Sequence, residues 1–411
     1  MSNVFKKFLK KRKRAKIQAQ NEKAARTAGR NGDDYQQQLS RHRHAVIRKT
    51  VITASVVIAA AAALLIFIEK RSYRSYKTIQ IHEQEDVVSN QYEMMSGKIL
   101  RYSPEGASLV NNEMSAYWSS LYEMQNPVAD INDDWAVIAD VDGTELRIFN
   151  KEGEAGSVTT SYSIVKARIS ANGLVAAILD GGDSTWINYY ASDGSLIAEN
   201  QTHVEDPGYP MDIAVSDDGE IMMVTYQFID GSDTTSYVAF YNFGDVGQNE
   251  PDRIVSGYTY EGVVIPEIEY LDADSSLAFR EDGFTLYKGR QIPKEAVTEK
   301  VDKEIVSTFS DDETIGMVFK NGDKDKKYTM KVYSPEGNLR FEKNFNIPYT
   351  TIKMSGGNIL LYNDSQICVM NSRGTTKYTG TVDGSINNFI KIGWNRYLLV
   401  MDSGVRVIKL S

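Results

Sequence analysis

Two kinds of turn alternate along most of this chain, and together they fix the class of fold. The first ends an aromatic or β-branched run with a polar turn and a glycine. It occurs as YSPEG at Gly106, RIFNKEG at Gly153, NYYASDG at Gly194, AFYNFG at Gly244, TLYKG at Gly289, YSPEG again at Gly337 and CVMNSRG at Gly374. The intervals are 47, 41, 50, 45, 48 and 37 residues. Glycine supplies the positive φ of a tight turn, and proline presets φ in the two YSPEG copies. The second kind joins an alternating strand to a strongly apolar one through Asp, Asn and Gly. It begins at Asn132, Ser170, Ser216, Leu271, Ser310, Ser355 and Gly393. Each period therefore holds four strands, A to D, in roughly 44 residues, which is the layout of a β-propeller blade. A sandwich would not alternate two turn types so strictly. The period-two pattern excludes coiled coils and helical solenoids. The fold class is all-β.

Complete blades start near residues 126, 164, 210, 263, 305 and 350. The C-terminal segment NNFIKIGWNRYLLVMDSGVRVIKLS supplies strands A, B and C of one more. Upstream, EDVVSNQYEMMSGKILRYSPEGASLVNNEM reads as a blade with DVVSN as a weak strand A. Both YSPEG copies are then C-to-D turns. An open ring leaves an unpaired strand edge, so the lone strand at Thr78–His82 is expected to pair with Val405–Lys409 and close the last blade. This gives eight blades. Seven is the alternative if DVVSN is not a strand.

Charge divides the chain in two. Residues 1–49 carry 15 Lys and Arg against 3 Asp and Glu, a net +12, while 69–411 carry 31 against 52, a net −21. Between them, Thr50 to Ile68 reads TVITASVVIAAAAALLIFI without a charge. Nineteen helical residues span roughly 28 Å, close to a bilayer's apolar thickness. The long preceding segment and the lack of a cleavage-site pattern point to an uncleaved signal anchor. The basic excess before the span puts the N-terminus in the cytoplasm. The expected organisation is a basic cytoplasmic tail (1–49), a transmembrane helix (50–68), a linker (69–76) and an extracytoplasmic β-propeller (77–411). A single cysteine, Cys368, cannot form an internal disulfide, and an exported domain without disulfides suggests a bacterial envelope. In the tail, Val4, Phe5, Phe8 and Leu9 make an apolar stripe flanked by lysines; a topology determinant alone is the first reading, contact with anionic lipid the second, and nucleic acid or another specific partner the third. Residues 20–45 are apolar-poor and are expected to lack fixed structure.

Catalytic chemistry finds little support. The chain has four histidines, His42, His44, His82 and His203, and no G-x-S-x-G. No His/Cys cluster suits zinc. Asp140, Asp142 and Glu145, the pair Asp272 and Asp274, and the pair Asp323 and Asp325 resemble parts of calcium loops, but none completes the pattern, and they read as hairpin turns. No catalytic residue, metal or cofactor is expected. Aromatic residues are the binding candidates: Tyr117, Trp118 and Tyr122 in an expected inter-blade connection, with Tyr209, Tyr258 and Tyr260 elsewhere.

The SDDG-type turns before strand B and the YSPEG and YASDG turns after strand C resemble WD40-like and quinoprotein-like propellers. With one span, a basic tail and one cysteine, the whole chain resembles an uncharacterised family of clostridial membrane proteins carrying an exported propeller. The Gly-His and Trp-Asp marks of WD40 blades are absent. Fold-level analogy does not supply a function; the expected one is a membrane-anchored, non-enzymatic binding or scaffold module with a protein or glycan partner in the envelope. A receptor relaying ligand binding to the tail is the alternative, and a glycan-acting enzyme a further one. The acidic ectodomain argues against nucleic-acid partners.

Overall fold

The structure is a computed structural model and describes residues 2–83, 89–203, 207–323 and 326–411. It divides into two compact units, 1–71 and 72–411.

The first unit is one helix, Ser2–Lys70. It continues through residues 20–45, where low apolar content suggested none. The segment 2–70 has no proline and is rich in Ala, Lys, Arg and Gln, which favour helix. Its Val46–Lys70 portion is long and apolar enough to cross a membrane. Val51, Ile52, Val56, Val57 and Ile58 are all exposed. The side chains of Val4, Phe5, Phe8 and Leu9 lie outside the described ones.

The second unit is an eight-bladed β-propeller of four-stranded antiparallel meanders. Blades 1 to 7 span residues 91–121, 127–159, 163–202, 209–261, 267–300, 305–345 and 351–381. Blade 8 takes strands A, B and C from 386–410 and strand D from Tyr76–His82. The expected closure is present: Tyr76 pairs with Leu410 and His82 with Val405. The joint is locked beyond the ladder. Arg74 and Ser75 donate backbone N–H groups to the Ser411 carbonyl, both at 3.1 Å, and Ser411 donates to the Ser75 carbonyl at 2.8 Å. Tyr73 and Tyr76 pack on a cluster that includes Ile408 and Leu410.

Blade 1 corrects the expected register. Its strand A is Gln91–Met95, not DVVSN, whose Asp86–Val88 lie outside the described residues. The A-to-B turn is Ser96-Gly97. Both residues have positive φ, 53° and 68°, and Met95 pairs with Lys98, the geometry of a two-residue hairpin. Every later strand of the blade moves up one place. Ala116–Leu121, expected as a connection, is strand D.

The two YSPEG copies therefore differ in place. The first joins strands B and C of blade 1, and the second joins C and D of blade 6. In a meander these turns lie on opposite faces of the propeller. What the copies share is local. Ser103 Oγ donates to Glu105 at 2.8 Å, and Ser334 Oγ donates to Glu336 at 2.7 Å. In each, the glutamate N–H also reaches the serine oxygen at 3.3 Å. The pentapeptide specifies a turn and not a position.

Burial follows strand order. Strand B segments such as Val175–Leu179 are buried on both faces, whereas strand D segments alternate and leave residues such as Leu121 exposed. The core runs between neighbouring blades as successive apolar clusters.

Candidate functional site

Strand A of each blade lies at the axis, so the A-to-B turns surround one opening. All eight blades contribute to this mouth, a cavity of about 940 Å³. Met94 and Ser96 come from blade 1, Asp130 and Asp133 from blade 2, and Arg168 from blade 3. Blades 4 and 5 give Asp217, Glu269 and Asp272, and blade 6 gives Asp311 and Asp312. Gly356 and Lys391 complete the ring from blades 7 and 8. Among the described residues, seven carboxylates thus face two cations. Both cations are already engaged. Arg168 binds Asp130 at 3.2 Å, and the Lys391 ammonium donates to the Gly356 carbonyl at 2.6 Å. The mouth therefore presents net negative charge inside low-dielectric walls, which focuses the field on an incoming ligand.

Beneath the mouth the channel is cross-braced. Asp212 is fully buried, with Lys166 Nζ at 2.6 Å and a backbone N–H from Ile268 at 2.9 Å. Asp130 accepts the Ile169 N–H at 2.8 Å. Asn132 of blade 2 donates to Asp217 of blade 4 at 3.0 Å, reaching past blade 3. Lys353 of blade 7 lies 3.6 Å from Glu93 of blade 1 and donates to Asn388 of blade 8 at 2.9 Å. These groups tie the A strands of adjacent and next-but-one blades to one another.

Burial tunes the acids. It pushes Glu269 up to about 7, with Glu267 and Asp311 adding repulsion, while a Ser310 hydrogen bond and Arg168 oppose the shift. It also raises Asp130, against the pull of Arg168, and Asp311, against hydrogen bonds from the turn. Burial works against the charge of Arg168, but Asp130 and Asp212 outweigh it and raise its pKa.

The expected aromatic residues fall elsewhere. Tyr117 and Trp118 lie within strand D of blade 1, not in a connection. Trp118 stacks on Phe149 at 5.2 Å, and Tyr122 is buried in the same cluster between blades 1 and 2. Tyr258 and Tyr260 lie in strand D of blade 4 and bridge to blade 5: Tyr258 donates to the Pro293 carbonyl at 3.0 Å, and Tyr260 shares a 2.5 Å hydrogen bond with Tyr287. Tyr209 opens strand A of blade 4. Tyr117 is 57% exposed, with Lys98 Nζ 3.9 Å from its ring centre. The structure does not gather the six into one site.

Of the mouth carboxylates, sequence reasoning names Asp272 alone, as part of a calcium-like turn, although the turns INDD, SDDG and SDDE carry several others. Among the calcium-like loops, Asp140 accepts the N–H groups of Gln125 and Asn126 at 2.9 and 2.7 Å, a structural clamp on the connection before its blade. Asp325 lies outside the described residues. Among the described residues no group of three or more His, Cys, Asp or Glu is placed to hold a metal ion.

A family model described as a family of unknown function (DUF5711) matches residues 69–410. No curated protein matches the sequence. Among solved structures, the chain is similar to BamB from Moraxella catarrhalis at 13% identity and a TM-score of 0.49, covering 82% of this chain and 100% of that one. It is also similar to Chaetomium thermophilum Sqt1 bound to the N-terminus of ribosomal protein L10, at 12% identity and 0.49, covering 84% and 98%. A third is Kuenenia stuttgartiensis hydrazine synthase, at 8% identity and 0.43, covering 82% and 99%.

Proposed function

The chain belongs to the DUF5711 family, and we propose that it is a single-pass, membrane-anchored binding or scaffold module of the bacterial cell envelope. Residues 50–68 anchor it, the basic tail 1–49 lies in the cytoplasm, and the propeller lies outside. Its role is non-enzymatic. It engages a protein partner through the axial mouth, and the partner presents a cationic segment there. The observation that carries this reading is the mouth itself, where eight blades converge and seven carboxylates outnumber two engaged cations. Electrostatic complementarity of this kind speeds encounter and selects partners. Exposed Tyr117 offers a secondary contact on the outer strand of blade 1.

A photo-crosslinking residue placed at Asp133 or Asp312 in intact cells tests the reading. The expected result is one shared partner captured from both positions and not from Ile229, an exposed residue on another part of the propeller. Equal capture from all three, or none from the mouth, argues against it.

A further inference from the structure

A second cavity lies away from the axis, between blades 3 and 4, and its origin can be traced in the sequence. Strand D of each blade turns one row of side chains toward the next blade. The first position after its bulge is Trp118 in blade 1, Phe341 in blade 6 and Tyr378 in blade 7. In blades 2 and 4 this position is small, Gly156 and Ser256, and the next blade's C-to-D turn fills the space instead. A Cβ on Gly156 would meet the Asp193 carbonyl carbon at 2.5 Å, and Ser256 Oγ donates to the Pro293 carbonyl at 2.8 Å. Blade 3 also has a small residue, Ala198, opposite Tyr189, followed on the same face by Asn200 opposite Ile187. Here the next blade's C-to-D connection does not fill the gap. It runs over 243–253 through two short 3-10 turns, Gly247–Asn249 and Pro251–Arg253.

What remains is a half-open cavity of about 180 Å³, with Ile187, Tyr189, Met222, Tyr241 and Phe243 among its walls. Its rim is charged. Arg253 and Asp252 come from the long connection and Glu199 from strand D. Arg253 Cζ sits 5.4 Å from the centre of the Phe243 ring, and among the described residues its guanidinium forms no ion pair. The backbone is forced to place it: Asp252 and Arg253 both hold positive φ, 51° and 62°. Successive non-glycine residues in this region cost roughly 1–2 kcal/mol each, and such strain gathers at ligand sites.

We propose that this cavity binds a small ligand with an apolar side chain next to a free α-carboxylate. The apolar body enters between Tyr189, Met222 and Tyr241, and the carboxylate pairs with Arg253. The volume is below the roughly 300 Å³ at which drug-sized pockets begin, which suits one amino-acid residue. Two sources share this chemistry: a free apolar amino acid, whose ammonium would meet Glu199 or Asp252, and the C-terminal residue of a peptide. The inference is independent of the axial mouth.

The test uses the full chain in nanodiscs, with calorimetry and ligand-observed NMR. The probes are L-leucine, L-phenylalanine, N-acetyl-L-phenylalanine and L-phenylalaninamide. The acids are expected to bind, and the amide at least tenfold more weakly. Arg253→Gln should weaken the acids at least tenfold. Ala198→Trp, which copies Trp118 of blade 1, should abolish binding without lowering the melting temperature. Should that variant fail to fold, Asn200→Tyr, which copies Tyr258 of blade 4, serves in its place. If acetylation is tolerated, the site reads a peptide C-terminus; if it abolishes binding, the site reads a free amino acid. The proposal is overturned if no acid binds at concentrations on the order of 10 mM, if acid and amide bind alike, or if the filled variant binds like the wild type.

Discussion

Glu269 shows how burial beside the mouth sets the protonation of a single residue. Its folded pKa of about 7 exceeds the ordinary value of 4.5. Between those limits the folded state holds a proton that the unfolded state has released. Stability should therefore fall as pH rises through that window, and the penalty is complete above it. Glu269→Gln should stabilise the propeller at pH 8 by up to about 3 kcal/mol and change little at pH 4. Denaturant melts at the two pH values check this, and an equal effect at both would contradict it. Glycines give a second residue-scale expectation. Gly97 has φ of 68° and open space around its missing Cβ, whereas Gly337 has φ of 81° and a Cβ there would meet Val297 Cγ1 at 2.7 Å. Gly97→Ala should cost about 1–2 kcal/mol for the left-handed backbone alone. Gly337→Ala should cost more, because Val297 must also move. Matched melting curves would show whether the order holds.

At the level of the element, the closing strand Tyr76–His82 completes blade 8 and closes the ring. Deleting residues 74–84 removes the partner of Gly404–Leu410 and exposes its ladder groups. A large fall in melting temperature is expected, or self-association through the bare edge; calorimetry and size-exclusion chromatography would detect either. Unchanged stability in a monomer would mean that the ring does not depend on this strand. Most of this architecture is legible in the sequence because turn chemistry is local. Glycine at Gly153, Gly194 and Gly374, and Asp-rich turns at Ser216 and Ser310, each mark a hairpin without help from the rest of the chain. Blade 1 misleads because its A-to-B turn, Ser96-Gly97, lacks the Asp and Asn of the others, and because its YSPEG does not share the blade position of the second copy. The mouth is illegible for a different reason. Its carboxylates are a blade apart in sequence, and each alone looks like an ordinary polar turn. Only closure brings Asp133, Asp217 and Asp312 to one rim. The aromatic residues carry no mark of their place in sequence: Trp118 and Tyr258 lie in D strands and pack between blades.

For the whole molecule, the proposed topology has a convenient internal control: Cys368, the sole cysteine, is buried. Introduced thiols at Lys16 in the tail and Leu121 on the propeller, both exposed, should then report sidedness. In intact cells a membrane-impermeant maleimide is expected to label Leu121→Cys and spare Lys16→Cys, with both labelled after permeabilisation. The reverse pattern would place the propeller in the cytoplasm. The proposed binding function rests on the mouth as a joint product of all eight blades. The most direct test is the affinity of full-length protein in nanodiscs for the partner captured from Asp133 and Asp312. Wild type is compared with a variant carrying Asp133→Asn, Asp217→Asn, Asp272→Asn and Asp312→Asn. The expected result is at least a tenfold loss of affinity with an intact fold and a weaker dependence on salt. Equal affinity in an equally folded variant would contradict a binding role for the mouth.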